Sequence, residues 1–298
     1  MATTMNQSQP ARKERKRKKK RDIWSVLGWG FMILLIIFTV VPMFWMIITS
    51  LKGQFAALQY PPQWYPHDPT LEHYRDLLSP SGETGKMFLR FMVNSIWVST
   101  ATTIAGVTLA VPAAYAFSRF RFPGRMLLFY SVLLRNMFPA VIFLMPLFIM
   151  MRNLRLVNTH WSLIITYLTF GLPLSIWLLK GFYDNIPPQL EQAARIDGAS
   201  RFKAFFLIVM PLSSPGIIAT AIYSFIVAWN EYVYALTFLR NEEMLTLPVG
   251  LQRFFTEYAS NWPGLMAASF IMSVPVVVLF LVLQKYFVRA LTEGAVKS

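Results

Sequence analysis

Apolar residues fall along this chain in six long, nearly unbroken stretches, at about 24–49, 91–117, 126–151, 161–183, 205–238 and 265–287. The segments between them are shorter and richer in charge, proline and glycine. A helix needs about 20 mostly apolar residues to cross the hydrocarbon of a bilayer. Lipid cannot satisfy backbone polar groups, so a spanning segment must satisfy them internally, and each stretch therefore predicts a membrane helix. The fifth is overlong at its start, where 205–210 reads as helix lying before Pro211 and Pro215 break or kink the chain. Pro112, Pro139, Pro146, Pro173 and Pro275 fall inside other stretches, where packed neighbours can satisfy the freed carbonyls. The expected fold class is an all-α integral membrane protein with six transmembrane helices. Residues 1–22 form a basic tail and 23–298 the transmembrane domain.

Composition agrees: 55% of the 298 residues are hydrophobic and 14% charged, more apolar surface than a water-soluble core can hide. The formal charge of +14 raises nucleic acid as a partner, but its distribution argues otherwise. Residues 12–21 hold nine Lys or Arg and one Glu, directly before the first apolar stretch. A basic run in that position reads as a cytoplasmic anchor drawn to anionic lipid head groups, not as a nucleic-acid arm. The stretch 24–49 far exceeds the ~7–15 residues of a signal-peptide core, and no small-x-small cleavage site follows it. With the N-terminus inside, the inner segments carry nineteen Lys and Arg and the outer ones eight, or ten against eight without the tail. Basic residues are retained on the cytoplasmic side, so both termini are expected there, with 119–125 as a compact inner loop.

Several chemistries are poorly supported. There is no cysteine, and His67, His73 and His160 show no metal-ligand spacing. Ser81-Gly-Glu-Thr-Gly85-Lys86-Met87 echoes a phosphate-binding loop, but Pro80 and Met87 replace the required first glycine and final Ser or Thr. A membrane-embedded enzyme would need a nucleophile–base pair or metal cluster within the spans. An ion-coupled secondary transporter, the main alternative, usually shows more intramembrane carboxylates or two similar halves.

The segment between stretches four and five, 185–204, carries the most information. Pro187 and Pro188 suit the first turn of a helix, and Glu191 falls near its positive end. Leu190, Ala193, Ala194 and Asp197 recur at three- and four-residue spacing, and Gly198 stops the helix. From these residues alone, a helix seated in another protein's groove and an amphipathic connector lying on the membrane are equally good readings.

Glu191-Gln-Ala-Ala-Arg-Ile-Asp197-Gly198-Ala199, followed by Phe205 or Phe206 and by Pro211-Leu-Ser-Ser-Pro215-Gly216, resembles the E-A-A…D-G-A…P-L…P-G signature of inner-membrane permeases of binding-protein-dependent ABC importers. Gln192 stands where the signature has its first alanine. Asn94-Ser95, Ala113-Ala-Tyr-Ala-Phe-Ser-Arg119, Phe122-Pro-Gly124, Met137-Phe-Pro139, Ala228-Trp-Asn-Glu231 and the segment 284–297 extend the likeness to the maltose-type (MalG-like) carbohydrate permeases. The resemblance implies a multi-pass protein of the bacterial inner membrane that moves a sugar, such as a di- or oligosaccharide, by alternating access. It implies a second homologous permease subunit, two ATPase subunits or domains, and an extracytoplasmic sugar-binding protein. ATP and Mg would sit on the ATPase, with no cofactor on this chain. Glu191, Ala194, Asp197 and Gly198 are carried over as the residues that couple to the ATPase.

Ionisable residues inside a bilayer are costly and are functional candidates by default. Arg135 lies about 15 Å in from Arg125, and Glu231 about 10 Å from the opposite surface, at 1.5 Å per residue. An ion pair between them would need favourable tilt, so separate roles are the better reading. With Asn94, Asn136 and Asn230 they are the translocation-path candidates, each with the plainer reading of a polar group satisfied by neighbouring helices. The outer segment 240–262 is too apolar for a linker and too short for a span. In the family it enters the cleft of the docked binding protein. Here Gly250 would supply a turn, Phe254 and Phe255 an apolar tip and Gln252 a polar group. A structural lid is the equal alternative.

Overall fold

The computed structural model describes residues 23–257 and 261–295, and every regular element among them is helical. The basic tail, 1–22, lies outside the described residues. In chain order come α1 (Ile23–Ser50), α2 (Glu72–Leu78), α3 (Glu83–Arg119), α4 (Arg125–Leu134), α5 (Leu144–Asn153) and α6 (His160–Asn185). Then follow α7 (Pro188–Ile196), α8 (Arg201–Ala204), α9 (Met210–Leu212), α10 (Ser214–Trp229), α11 (Val233–Phe238), α12 (Leu247–Glu257) and α13 (Trp262–Ala295). Residues through Trp45 form one compact unit and those from Met46 a second.

Four helices are long and apolar enough to cross a membrane, Ser25–Ser50, Glu83–Arg119, His160–Asn185 and Trp262–Gln284. The third and fifth expected spans are not straight. Arg125–Met137 and Ala140–Asn153 meet at 100°, and Arg201–Leu212 and Ser214–Trp229 at 72°, so the count reaches six when each bent pair is one crossing. Pro139 accounts for the first bend: it offers no N–H and forces Phe138 out of the helical region, to φ −93° and ψ 136°. The second bend follows a π-helical turn, Phe205–Val209, and precedes Pro215, which sits in the first turn of α10 where its missing N–H costs nothing.

In the second unit α3 packs on both α6 and α10. It starts eight residues before the apolar stretch, because Gly85 and Phe88 already continue the buried stripe Phe91, Ser95, Val98, Ser99, Thr102, Gly106, Ala110 and Ala114. That stripe is built from small residues, as are Ser162, Thr166, Gly171 and Ser175 on α6 and Gly216, Thr220 and Ser224 on α10. Small side chains let membrane helices approach closely, which is what holds them together in lipid. Two apolar clusters flank the seam, one around Phe88, Phe91, Leu163 and Trp229, the other around Tyr115, Phe117, Leu179, Tyr183 and Phe205. Large apolar side chains such as Leu34 and Phe38 on α1, Ile104 on α3 and Leu281 on α13 are exposed, a pattern suited to lipid rather than water.

Gly250 is not a turn residue. It lies buried inside α12, and an added methyl group would overlap the Phe91 ring. Gly250→Ala is therefore expected to destabilise the protein by about 1–3 kcal/mol through overpacking. Gly53→Ala, which meets only open space, is the control. Melting temperatures of the two variants in detergent check this; equal values would mean that α12 yields freely.

Candidate functional site

Pro188 opens α7, and Glu191 follows in its first turn. The Glu191 side chain does not face outward: the residue is 8% exposed, and its carboxylate is held from two sides by the end of α3. Arg119 Nε donates to Glu191 Oε1 at 2.5 Å, and the Tyr115 hydroxyl donates to Oε2 at 2.7 Å. Tyr115 and Arg119 are four residues apart, hence on one face of α3. A guanidinium at a helix C-terminus is further favoured by the helix dipole. Arg119 Nη2 also donates to the carbonyl of Ile186, which leads from α6 into α7, at 2.7 Å. Beside it Asp184 accepts from Ser118 Oγ at 2.6 Å and from Lys180 Nζ at 2.5 Å. Phe205 packs 4.4 Å from the Tyr115 ring.

The far end of α7 closes as its sequence suggests. Ala199 N–H donates to Ala194 O at 2.9 Å and Gly198 N–H to Arg195 O at 3.2 Å, with Gly198 at φ +88°. This is a Schellman motif, whose left-handed residue is best supplied by glycine. Ala194 is half-buried, while Ala193, Ile196 and Asp197 are exposed. Ile196 is 86% exposed and Phe202 74%, two large apolar side chains beside one short helix. Arg119 and Tyr115 escaped the sequence reading as site residues. Their signal was their four-residue spacing at the end of an apolar stretch, but nothing local tied them to Glu191, more than 70 positions on.

The candidates deeper in the bundle separate. Glu231 accepts from the Tyr167 hydroxyl at 2.7 Å, from Tyr234 N–H at 2.9 Å and from Ala235 N–H at 3.1 Å, capping the start of α11. No ion pair joins it to Arg135 among the described residues. The Arg135 guanidinium lies over the Phe170 ring, 3.4 Å from its centroid, with Phe143 at 5.4 Å. Arg135 Nη1 donates to Asn136 Oδ1 at 3.0 Å, whereas Nε and Nη2 are buried without a hydrogen-bond partner. Asn230 donates within its own helix, to Ile226 O at 2.9 Å. An open cavity of about 590 Å³ between α4, α6 and α10 is lined by Phe129, Trp177, Lys180, Asp184 and Tyr223 among others.

Asn94 is spent on the segment after α11, donating to the carbonyls of Glu243 and Leu245, both at 2.9 Å. Ser95 Oγ accepts from Leu247 N–H at 2.7 Å. Gln252 is exposed and accepts from the Tyr232 hydroxyl. The side chains of Phe254 and Phe255 lie outside the described residues. The anchored part of 240–262 is thus a packed helix with its entry pinned to α3.

Known proteins are similar to this chain in sequence and in fold. The chain is 37% identical over 279 residues to the inner membrane ABC transporter permease protein YcjP of Escherichia coli K12, covering 94% of this chain and 99% of the relative. It is 37% identical to the sulfoquinovosyl glycerol transport system permease protein SmoH of Agrobacterium fabrum, covering 86% and 88%. It is 38% identical to the trehalose/maltose transport system permease protein MalG of Thermococcus litoralis, covering 89% and 94%. A bacterial ABC transporter involved in import of the acidic polysaccharide alginate has a chain of the same fold, with TM-score 0.76 over 90% of this chain and 98% of that one at 23% identity. Residues 102–293 match the family described as binding-protein-dependent transport system inner membrane component, and this chain belongs to that family.

Proposed function

We propose that this chain is a carbohydrate permease subunit of an ATP-binding-cassette importer, working by alternating access under the drive of a separate ATPase. The observation that carries the reading is α7, a short helix whose buried face is fixed to the bundle by Arg119, with Ile196 at its end and Phe202 on the following α8 both strongly exposed. Large apolar side chains left exposed beside so short a helix are available to a docked protein. Binding-energy differences between the states of a docked ATPase would reach the spans through α7, because Glu191 ties that helix to Tyr115 and Arg119 at the end of α3. Relatives named for trehalose, maltose and a sulfoquinovosyl glycerol support a sugar as the solute. A related fold solved with an alginate-loaded periplasmic protein supports a sugar-binding protein as a further partner. The second permease subunit and the paired ATPases follow from the same reading. An ion-coupled carrier gains no support, since Glu231 already serves three donors.

In this reading each bent pair is one crossing, both termini and α7 face the cytoplasm, and the α2 and α12 segments face outward. The chain has no cysteine, so single cysteines report cleanly. Ser81→Cys is expected to react with an impermeant thiol reagent applied outside intact cells, and Pro123→Cys only after permeabilisation. The opposite labelling would invert the orientation.

The coupling reading is tested in proteoliposomes holding the full complex and its binding protein, where uptake must require ATP. Removing one partner of a buried ion pair costs about 3–5 kcal/mol. Arg119→Glu and Glu191→Arg are each expected to abolish uptake while the complex still assembles, and the double swap to recover part of it. Failure of the swap, with the complex intact, would remove charge pairing as the anchor. Gly198→Val adds a side chain at positive φ, a strain of roughly 1–2 kcal/mol. Its expected signature is ATP hydrolysis that no longer responds to the loaded binding protein; a normal response would free α7 from the coupling role.

A further inference from the structure

We propose that Arg135 is an anion-recognising residue of the translocation path, and that the transported solute is an acidic saccharide bearing a carboxylate or a comparable oxyanion. The inference rests on the carbohydrate reading above and narrows it. Phe170, over which the guanidinium lies, is ten residues from His160 and fifteen from Asn185 in α6. At 1.5 Å per residue that is about 15 and 22 Å from the two ends, so the charge sits near mid-span. A cation at that depth needs a partner. Its candidate carboxylate, Glu231, already accepts from Tyr167, Tyr234 and Ala235, and no ion pair links the two among the described residues.

Which atoms stay unsatisfied identifies the ligand chemistry. Arg135 Nη1 is turned to Asn136, while Nε and Nη2 have no hydrogen-bond partner. Nε and Nη2 lie on one edge of the planar guanidinium and form the fork that grips a carboxylate, sulfonate or phosphate with two parallel hydrogen bonds. The Phe170 and Phe143 rings lie against the guanidinium and offer that edge no hydrogen-bond acceptor. Tyr223, within electrostatic reach of Arg135, also lines the cavity between α4, α6 and α10, where Phe129 and Trp177 present aromatic surface suited to the apolar face of a sugar ring. In this conformation the fork is covered by the chain's own atoms. A carboxylate on a neighbouring subunit docked against the same conformation would not reach it. Arg135 stands at the 100° break between Arg125–Met137 and Ala140–Asn153, so movement at that break is what uncovers the fork. The covered, unbonded fork raises the energy of this conformation, and an anion that reaches it once the break moves relieves that penalty. This is the differential interaction by which a solute favours one state over another.

The test has two stages. First, the binding protein that stimulates the assembled importer is titrated by calorimetry with maltose, trehalose and cellobiose, and with uronate-containing disaccharides. Retention of neutral sugars alone overturns this inference and leaves the carbohydrate reading standing; retention of no saccharide removes both. Second, ATP-driven uptake of a retained acidic disaccharide is measured in proteoliposomes with wild type, Arg135→Lys and Arg135→Gln. Loss of charge-assisted bidentate hydrogen bonds predicts uptake lowered about 10- to 100-fold by Arg135→Gln, with partial retention in Arg135→Lys. Where a neutral sugar is also retained, its uptake must fall less. Undiminished acidic-sugar uptake by Arg135→Gln overturns the proposal. So does failure of Arg135→Gln to assemble while Arg135→Lys assembles, which would mark a carboxylate of the partner permease as the true counter-ion.

Discussion

Between helices in hydrocarbon there is little apolar driving force, because lipid tails solvate a side chain as well as a neighbouring helix does. The seam of α3 with α6 and α10 answers that constraint with close approach. Gly106, Ala110 and Ala114 on one helix meet a run of Ser, Thr and Gly on the others, with Ser175 and Ser224 hydroxyls 3.3 Å apart. Polar pins then fix what the seam supports. Asn94 and Ser95 hold the entry to α12 near one end of α3, and Tyr115 and Arg119 hold α7 at the other. Ser95 and Arg119 are 24 residues apart on one helix, about 36 Å at 1.5 Å per residue. A single helix therefore carries both the entry to α12 and α7, at its two ends.

The features legible in the sequence are those encoded locally. Apolar run length located α1, α3, α6 and α13, and the family signature was readable because its residues lie within one loop and its flanks. Gly198 was readable because a helix stop is a property of a few adjacent residues. The break near Pro211 and Pro215 was also readable, but the corner at Pro139 was not, since a proline inside an apolar run is compatible with a mild kink or a sharp corner, and the packing of neighbours decides between them. Gly250 misled for a related reason: a glycine serves a turn and a close helix contact equally well, and only the position of Phe91, over 150 residues earlier, tells them apart. The Arg119 side chain was visible as a charge that orients the chain. Its pairing with Glu191 belongs to the tertiary fold alone.

The two ionisable groups deepest in the bundle show that depth is not a sufficient guide to role. Glu231 is costly to bury as a bare charge, but three donors, two of them from the backbone at the start of α11, make it a helix cap. Asn230 and Asn94 are likewise consumed by carbonyls of their own chain. Counting donors and acceptors atom by atom separates these residues from Arg135 more sharply than their position along a span does.

The π-helical turn Phe205–Val209 also bears on how motion at α7 would arrive at α10. Such a turn holds one residue more than an α turn over nearly the same rise, like a surplus link in a chain drive. Passing that residue along by one position would rotate the segment it leaves by about 100° with little change in length. Phe205, wedged against Tyr115 beside the Glu191 anchor, lies within the turn. A small slip of backbone register there would swing one aromatic ring off the anchor and the next, Phe206, toward it, converting a push along the chain into rotation of a helix face.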